Sequence, residues 1–522
     1  MPRRKKTKSD FPHDDQGRAI LGSAKEMAAW VKLGFEEQDK RKSSDDPFFK
    51  HYIDLTRCVL FISYPTGVKT PATRIFNLCD MAGIVPGVEE IKDDPKYLYE
   101  VKYDIHFDNS VLHGNFFHYV KFDGVVRMEN VTVLQSFSCF RCLFNGFTFL
   151  QKIHLQGGFG IEQCEFSKGL IMHYADVGGI NAMFDNSVIK DRLSIIGTSF
   201  TNQEHSNPIA FNNCTIENLN ISKITTKGRS ICVDSTSVHG MRMDDIKHEG
   251  TLFFNSCVLD GIITSVVGKD KPNNIINELV FDCCNIKAQY HIENSDIAKM
   301  EFIFGKIEDA GRLRLSQCII EGLLVGSSSV AGRLDLVQSR ISTIDLDETC
   351  VSGFIYFQAN DVKKFENRQT LRLLKNEALR VNDDVSALHL YAQEMTLLLS
   401  DKSISRWDKV SLWLSRLFSR FGESWTKASL VTFGVSIALT LLMLGAGSSK
   451  YLFKPSGQFI GVGPFVTILL DSINVFSIPL FSDTIEKYDL NVFGQVLYFV
   501  IKIVVAYGVY QFILAFRKHG RR

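Results

Sequence analysis

Among the 522 residues of this chain, 12 cysteines and 13 histidines are the side chains best suited to metal or thiol chemistry. Cys139-Phe140-Arg141-Cys142 has the CxxC form, and Cys283-Cys284 is an adjacent pair. A structural zinc site needs four ligands, usually two such pairs at suitable spacing, and no second CxxC occurs. His106, His113, His118, His154 and His173 scatter along the chain, and surface exposure is their expected state. No phosphate-binding glycine loop, HExxH or GxSxG motif is present. No catalytic, cofactor-binding or metal-ligating residue is therefore assigned, and enzyme activity is not expected. Most of the cysteines read as small buried hydrophobes. The start Met1-Pro2-Arg3-Arg4-Lys5-Lys6 has no apolar run behind it, so no secretory signal is expected. Many thiols without one point to a reducing compartment.

A second set of chemically notable residues lies near the other end, inside apolar surroundings. Residues 428–446 carry no charge, and residues 492–516 are apolar except for Gln495, Lys502 and Gln511. At ~1.5 Å per residue these runs rise roughly 28 and 37 Å, enough to span a bilayer core. Lys502 near the middle of the second run is costly in a membrane and is a functional candidate by default. Residues 462–481 form a third apolar stretch, interrupted by Pro464, Asp471, Asn474 and Pro479. Its mixed polarity reads as re-entrant or interfacial. Asp471, Asn474 and Lys502 are thus candidate pore or gate residues. The competing reading is a Lys502–Asp471 pair, or a lysine bonded to backbone carbonyls, that locks a hairpin. No Gly-Tyr-Gly filter is present, so potassium selectivity is not supported.

Basic residues set the expected orientation. Arg406, Lys409, Arg416, Arg420 and Lys427 precede the first span, and Arg517, Lys518, Arg521 and Arg522 follow the second. Both termini should be cytoplasmic. Trp407, Val410, Leu414, Leu417 and Phe421 make a helical stripe beside the first basic group. With Arg416, Arg420 and Trp425, Trp407 is a candidate membrane-interface residue.

The longest part of the chain has a different period. Leu315, Ile320, Val325 and Val330 step in fives, and after one extra residue so do Leu336, Ile341, Leu346 and Val351. Neither a helix nor an ordinary strand does this; a chain turning a corner every five residues does. A small residue often stands two places earlier: Cys142 before Phe144, Cys164 before Phe166, Ser328 before Val330, Thr349 before Val351. On these residues the chain resembles the pentapeptide-repeat family in a degenerate form, over about residues 105–360. Leu373 to Met395, Phe421 to Trp425 and Tyr510 to Lys518 resemble the segments that follow the repeats in bacterial membrane-bound members.

The resemblance implies a right-handed quadrilateral β-helix followed by a helical cap and a two-span α-helical membrane domain. The expected organisation is a basic tail and mixed cap (1–100), a β-solenoid (101–361), a helical cap (362–400), an amphipathic interfacial helix (401–426) and a membrane domain (427–522). Lys and Arg total 59 against 58 Asp and Glu, a net charge of +1. That balance lacks the acidic surface of the DNA-mimicking members, and nucleic acid is not an expected partner.

The expected function is a membrane-tethered cytosolic solenoid that binds a protein partner or senses a ligand. The alternative is an oligomeric pore gated by the solenoid, acting in bacterial stress or phage defence. The expected partners are the lipid bilayer, a cytosolic protein and, for the pore, further copies of the chain. The expected location is the plasma (inner) membrane, crossed more than once, with no cofactor.

Overall fold

The computed structural model describes residues 7–21, 24–41, 52–55, 58–61, 88–90, 97, 99–113, 117–178, 182–200, 209–226, 230–261, 263–265, 274–358, 360–447, 466–467, 469–471 and 490–519. They fall into two compact units, Met1–Lys364 and Phe365–Arg522.

The first unit is a parallel β-solenoid. Each turn holds four short strands, as in Val126–Glu129, Thr132–Val133, Phe137–Phe140 and Leu143–Phe144. Each pairs in register with the strand one turn later: Val126 with Thr148, Thr132 with His154, Phe137 with Phe159, and Leu143 with Glu165. About 11 turns separate Ile105 from Ile355. Parallel pairing also extends back to Ala19–Leu21, Tyr52–Asp54 and Cys58–Phe61. An 18-residue helix, α1 (Ala24–Arg41), buries Met27, Trp30 and Val31 in this unit.

The corners explain the uneven period. Asn130, Arg141, Lys152, Gln163 and Tyr174 all have φ between 50° and 56° and recur at every eleventh residue. This left-handed conformation is costly for residues other than glycine. It is retained because the corner N–H groups stay on the ladder, as in Arg141 N to Glu162 O at 3.0 Å and Lys152 N to His173 O at 2.8 Å. The inward residues here alternate steps of five and six. Three fives in a row occur elsewhere, as in Phe107, Leu112, Phe117 and Phe122 and in Leu315, Ile320, Val325 and Val330.

Where a Ser, Thr or Cys follows a corner, it has a hydrogen-bonding task as well as a size limit. Ser328 Oγ donates to Gly326 O at 2.8 Å and accepts from Gly305 N at 3.2 Å. Ser339 Oγ accepts from Cys318 N at 3.2 Å, and Thr236 Oγ1 from Cys214 N at 3.2 Å. Cys257 Sγ reaches Val233 O and Asn255 O, each at 3.2 Å. These side chains satisfy backbone groups that the turning chain takes off the ladder, and a buried group left unpaired there would cost about 1–3 kcal/mol.

The interior is filled by columns of apolar side chains. Phe122, Phe144 and Phe166 stack with centroids 4.9 and 4.5 Å apart, close to one ladder spacing. Phe184 stacks on Phe211, and Phe254 on Phe281, each at 4.9 Å.

The second unit is helical. Asn367 caps α2 (Arg368–Arg380), accepting from Thr370 N, and Asp383 caps α3 (Asp384–Ser400), accepting from Ser386 N. Ser405 caps α4 (Arg406–Ser419). Two apolar helices follow, α5 (Trp425–Gly447) and α6 (Val492–His519).

Candidate functional site

Most residues read from the sequence as membrane-spanning or interfacial lie on or beside α4, α5 and α6. Trp425–Gly445 and Val492–Arg517 are long and apolar enough to cross a bilayer. They pack as an antiparallel hairpin. Trp425 meets Phe512 and Phe516 near one end, and Met443 and Leu444 pack with Leu497, Tyr498 and Ile501 near the other.

A stripe of small residues makes this packing close. Ala428, Ser436 and Thr440 are fully buried. Their neighbour Thr432 occupies the space that a Cβ on Gly508 would need. The hydroxyls create no unpaired polar groups, because each donates one turn back along its own helix. Thr432 Oγ1 reaches Ala428 O at 2.6 Å, Ser436 Oγ reaches Thr432 O at 2.6 Å, and Thr440 Oγ1 reaches Ser436 O at 2.7 Å. The outward faces carry Leu430, Phe433, Leu441, Val496, Phe499, Ile503 and Ile513, all exposed.

Lys502 faces inward and is 6% exposed. Its Nζ donates to the Asp471 backbone carbonyl at 2.6 Å and lies 5.3 Å from the centre of the Tyr498 ring. The two candidate residues therefore meet, but through a carbonyl rather than a carboxylate. Asn474 lies outside the described residues, as does most of 462–481; within it, 466–467 and 469–471 are helical where described. Since any residue supplies a carbonyl, Asp471→Ala should leave the hairpin's melting temperature in detergent within a few degrees of the native value. Lys502→Leu should change it more, and the reverse ranking would show that the carboxylate matters.

A second polar link joins α4 to α6. Ser419 Oγ donates to Gln511 Oε1 at 2.8 Å, and Gln511 Nε2 donates to Tyr507 Oη at 3.0 Å. Phe418 meets the Tyr507 ring edge-on at 5.3 Å. These contacts hold the end of α4 against the hairpin. Gln511 was visible as an interruption of the second apolar run, but its partner 92 residues away was not.

The interfacial candidates sit beside that link. Trp407 is 83% exposed and Trp413 53%, with Val410 and Leu417 also exposed. Arg416 and Arg420 are exposed, and Lys427 Nζ donates to Arg416 O at 3.2 Å. None of these three cations is paired with a carboxylate among the described residues. The stripe read from the sequence needs one correction: Phe421 is buried at 3% exposure. Arg420 at φ 49° and Phe421 at φ 61° end α4 in a left-handed turn, which carries Phe421 inward. Trp413, off the predicted spacing, is exposed in its place.

On α2 and α3, Glu394 is 2% exposed and holds three cations. It accepts from Lys375 Nζ at 2.7 Å, Arg372 Nε at 2.7 Å and Arg368 Nε at 3.3 Å. Burial opposes ionisation there, but Lys375, Arg372 and Arg368 outweigh it and hold the carboxyl below its ordinary pKa.

In the solenoid, His106, His118 and His173 are half-buried rather than exposed, and His154 is exposed as expected. Desolvation lowers the His118 pKa to about 4. Among the described residues eleven cysteines are free thiols: eight are buried as expected, Cys142, Cys164, Cys257 and Cys284 among them, whereas Cys232 is half-buried and Cys283 and Cys350 are exposed. No group of three or more His, Cys, Asp or Glu arranged to hold a metal occurs among the described residues.

No family model, curated protein or solved structure matches this chain.

Proposed function

We propose that this chain is a membrane-tethered β-solenoid that serves as a recognition or sensing module on the cytoplasmic face of the plasma membrane. Its turns are read as a right-handed quadrilateral coil of the degenerate pentapeptide-repeat type, with α2 and α3 as its helical cap. The observation that supports the tether is the antiparallel hairpin. Its outward faces are apolar, and its buried ammonium is satisfied from within. A pore lined by Lys502 would need that ammonium to face water, so its bond to the Asp471 carbonyl favours the anchor over the channel. Trp407, Trp413, Arg416, Arg420 and Lys427 supply the mixed apolar and basic surface that suits an anionic membrane boundary.

The test is expression of the full chain in a bacterial host, followed by carbonate extraction and protease treatment of membrane vesicles. The chain should stay with the membrane, and the solenoid should be cut in inside-out vesicles but protected in right-side-out ones. Release by carbonate would sink the tether, and the opposite protection pattern would reverse the orientation. A potential-sensitive dye should report no depolarisation in the same cells; rapid depolarisation, lost in Lys502→Leu, would instead establish the pore.

A further inference from the structure

Positive charge gathers where α4 ends and α5 begins. Between Ser405 and Lys427 stand the cations Arg406, Lys409, Arg416, Arg420 and Lys427, against the carboxylates Asp408 and Glu423. Both carboxylates are engaged elsewhere. Asp408 accepts from the Ser405 hydroxyl at 2.7 Å at the start of α4, and Glu423 pairs with His389 of α3 at 3.0 Å.

Three of the cationic residues meet at one acceptor. The Arg416 carbonyl takes the Arg420 N–H at 3.3 Å and the Lys427 ammonium at 3.2 Å. Like charges held together without a counter-ion repel one another, and an anion placed among them relieves that repulsion. Lys427 lies in the first turn of α5, where the aligned peptide dipoles add to the positive potential. Two guanidinium groups, which can bind in bidentate fashion, and one ammonium as a point charge suit a phosphate.

What the cluster borders decides the kind of phosphate. Leu430, one turn on from Lys427, is exposed, and so is Phe433 a turn beyond it. On α4, Val410, Trp413 and Leu417 follow the spacing i, i+3, i+7 as an exposed apolar strip, with Arg416 beside it. Cations next to open apolar surface on two helices match a ligand that joins a phosphate to hydrocarbon. A free phosphate would use only the cations. Three unpaired positive charges also disfavour a headgroup that brings its own ammonium.

We propose that Arg416, Arg420 and Lys427 bind the phosphate of an anionic phospholipid whose acyl chains lie along Leu430 and Phe433. The assignment deepens the membrane reading above, on which it rests, by naming the lipid class and the residues that select it.

The experiment mixes the full chain in detergent with equal amounts of phosphatidylglycerol and phosphatidylcholine of the same chain length. Native mass spectrometry then reads which lipid is retained. Phosphatidylglycerol should be retained at least about tenfold over phosphatidylcholine. Arg416→Gln and Arg420→Gln change exposed side chains and spare the packing. Each should lower that retention about fivefold, the scale of one basic residue at an anionic surface. Arg340→Gln, which removes an exposed cation from the solenoid, should leave it unchanged. Glycerol phosphate at millimolar concentration should not displace the lipid. Equal retention of the two lipids, undiminished retention in both α4 variants, or an equal drop in Arg340→Gln overturns the proposal. So does displacement by glycerol phosphate, which would assign the cluster to a free phosphate. Carbonate extraction reads the tether separately. A chain that resists carbonate yet retains both lipids equally keeps the tether and loses this site, whereas release by carbonate removes both.

Discussion

Replacing Phe144 by alanine should destabilise the solenoid by about 3–5 kcal/mol, the range for emptying a large aromatic from a packed core. The ring is 2% exposed and lies between Phe122 and Phe166, whose centroids are 4.9 and 4.5 Å away. Neither neighbour can move in to fill the gap, because each is fixed by its own strand at the ladder spacing. Phe144→Leu keeps most of the volume and should cost about 1–2 kcal/mol. Since a solenoid is held by nearest-neighbour contacts, the loss should be local. Amide exchange should therefore accelerate most around Lys121–Phe122, Leu143–Phe144 and Glu165–Phe166, which share this column. Equal exchange in the alanine and leucine variants would show that the column is not the unit of packing.

The second large effect belongs to Glu394→Ala in the helical unit. Removing the carboxylate leaves Arg368, Arg372 and Lys375 facing one another without a counter-charge. Breaking a buried pair costs about 3–5 kcal/mol. The three cations keep 33, 53 and 21% of their side-chain surface exposed, so water relieves part of their repulsion. About 2–3 kcal/mol is the expected loss. Glu394→Gln should cost less, because an amide oxygen still accepts. The same network sets a pH dependence. A carboxyl held below its ordinary value of 4.5 contributes its stability fully above that pH and loses it as pH falls through the lowered folded value. Thermal unfolding of the full chain in detergent should weaken in that acid range, and Glu394→Gln should flatten this part of the profile. An unchanged profile would mean that other carboxylates dominate acid unfolding.

The solenoid was legible because its inward side chains announce themselves. Val330, Leu336, Ile341 and Leu346 are all buried, at the positions their spacing assigned. Even so, the five-residue step was a local view of a longer rhythm. The left-handed corners fall on Asn130, Arg141, Lys152, Gln163 and Tyr174, residues with no shared side-chain chemistry. Their conformation is imposed by the ladder and leaves no compositional mark. The small residues were visible, but size alone did not reveal their hydrogen bonds across turns. In the hairpin, the apolar runs marked both helices. The partners of Lys502 and Gln511 depend on which helix faces meet, and that is a tertiary fact.

The turns also differ in length without losing pairing. Leu313 is followed in its column by Leu334, 21 residues on, whereas Asn186 is followed in its own by Asn213, 27 residues on. The surplus is carried between strands while the ladder continues on either side. Such a scaffold can lengthen or shorten by whole turns, because deleting one complete repeat rejoins two strands already matched in register. A single-residue deletion within a strand has no such escape, since it exchanges the inward and outward faces of that strand. Natural variation in a chain of this kind should therefore arrive as whole turns or as extensions at corners, and the number of turns can drift while the cross-section stays constant.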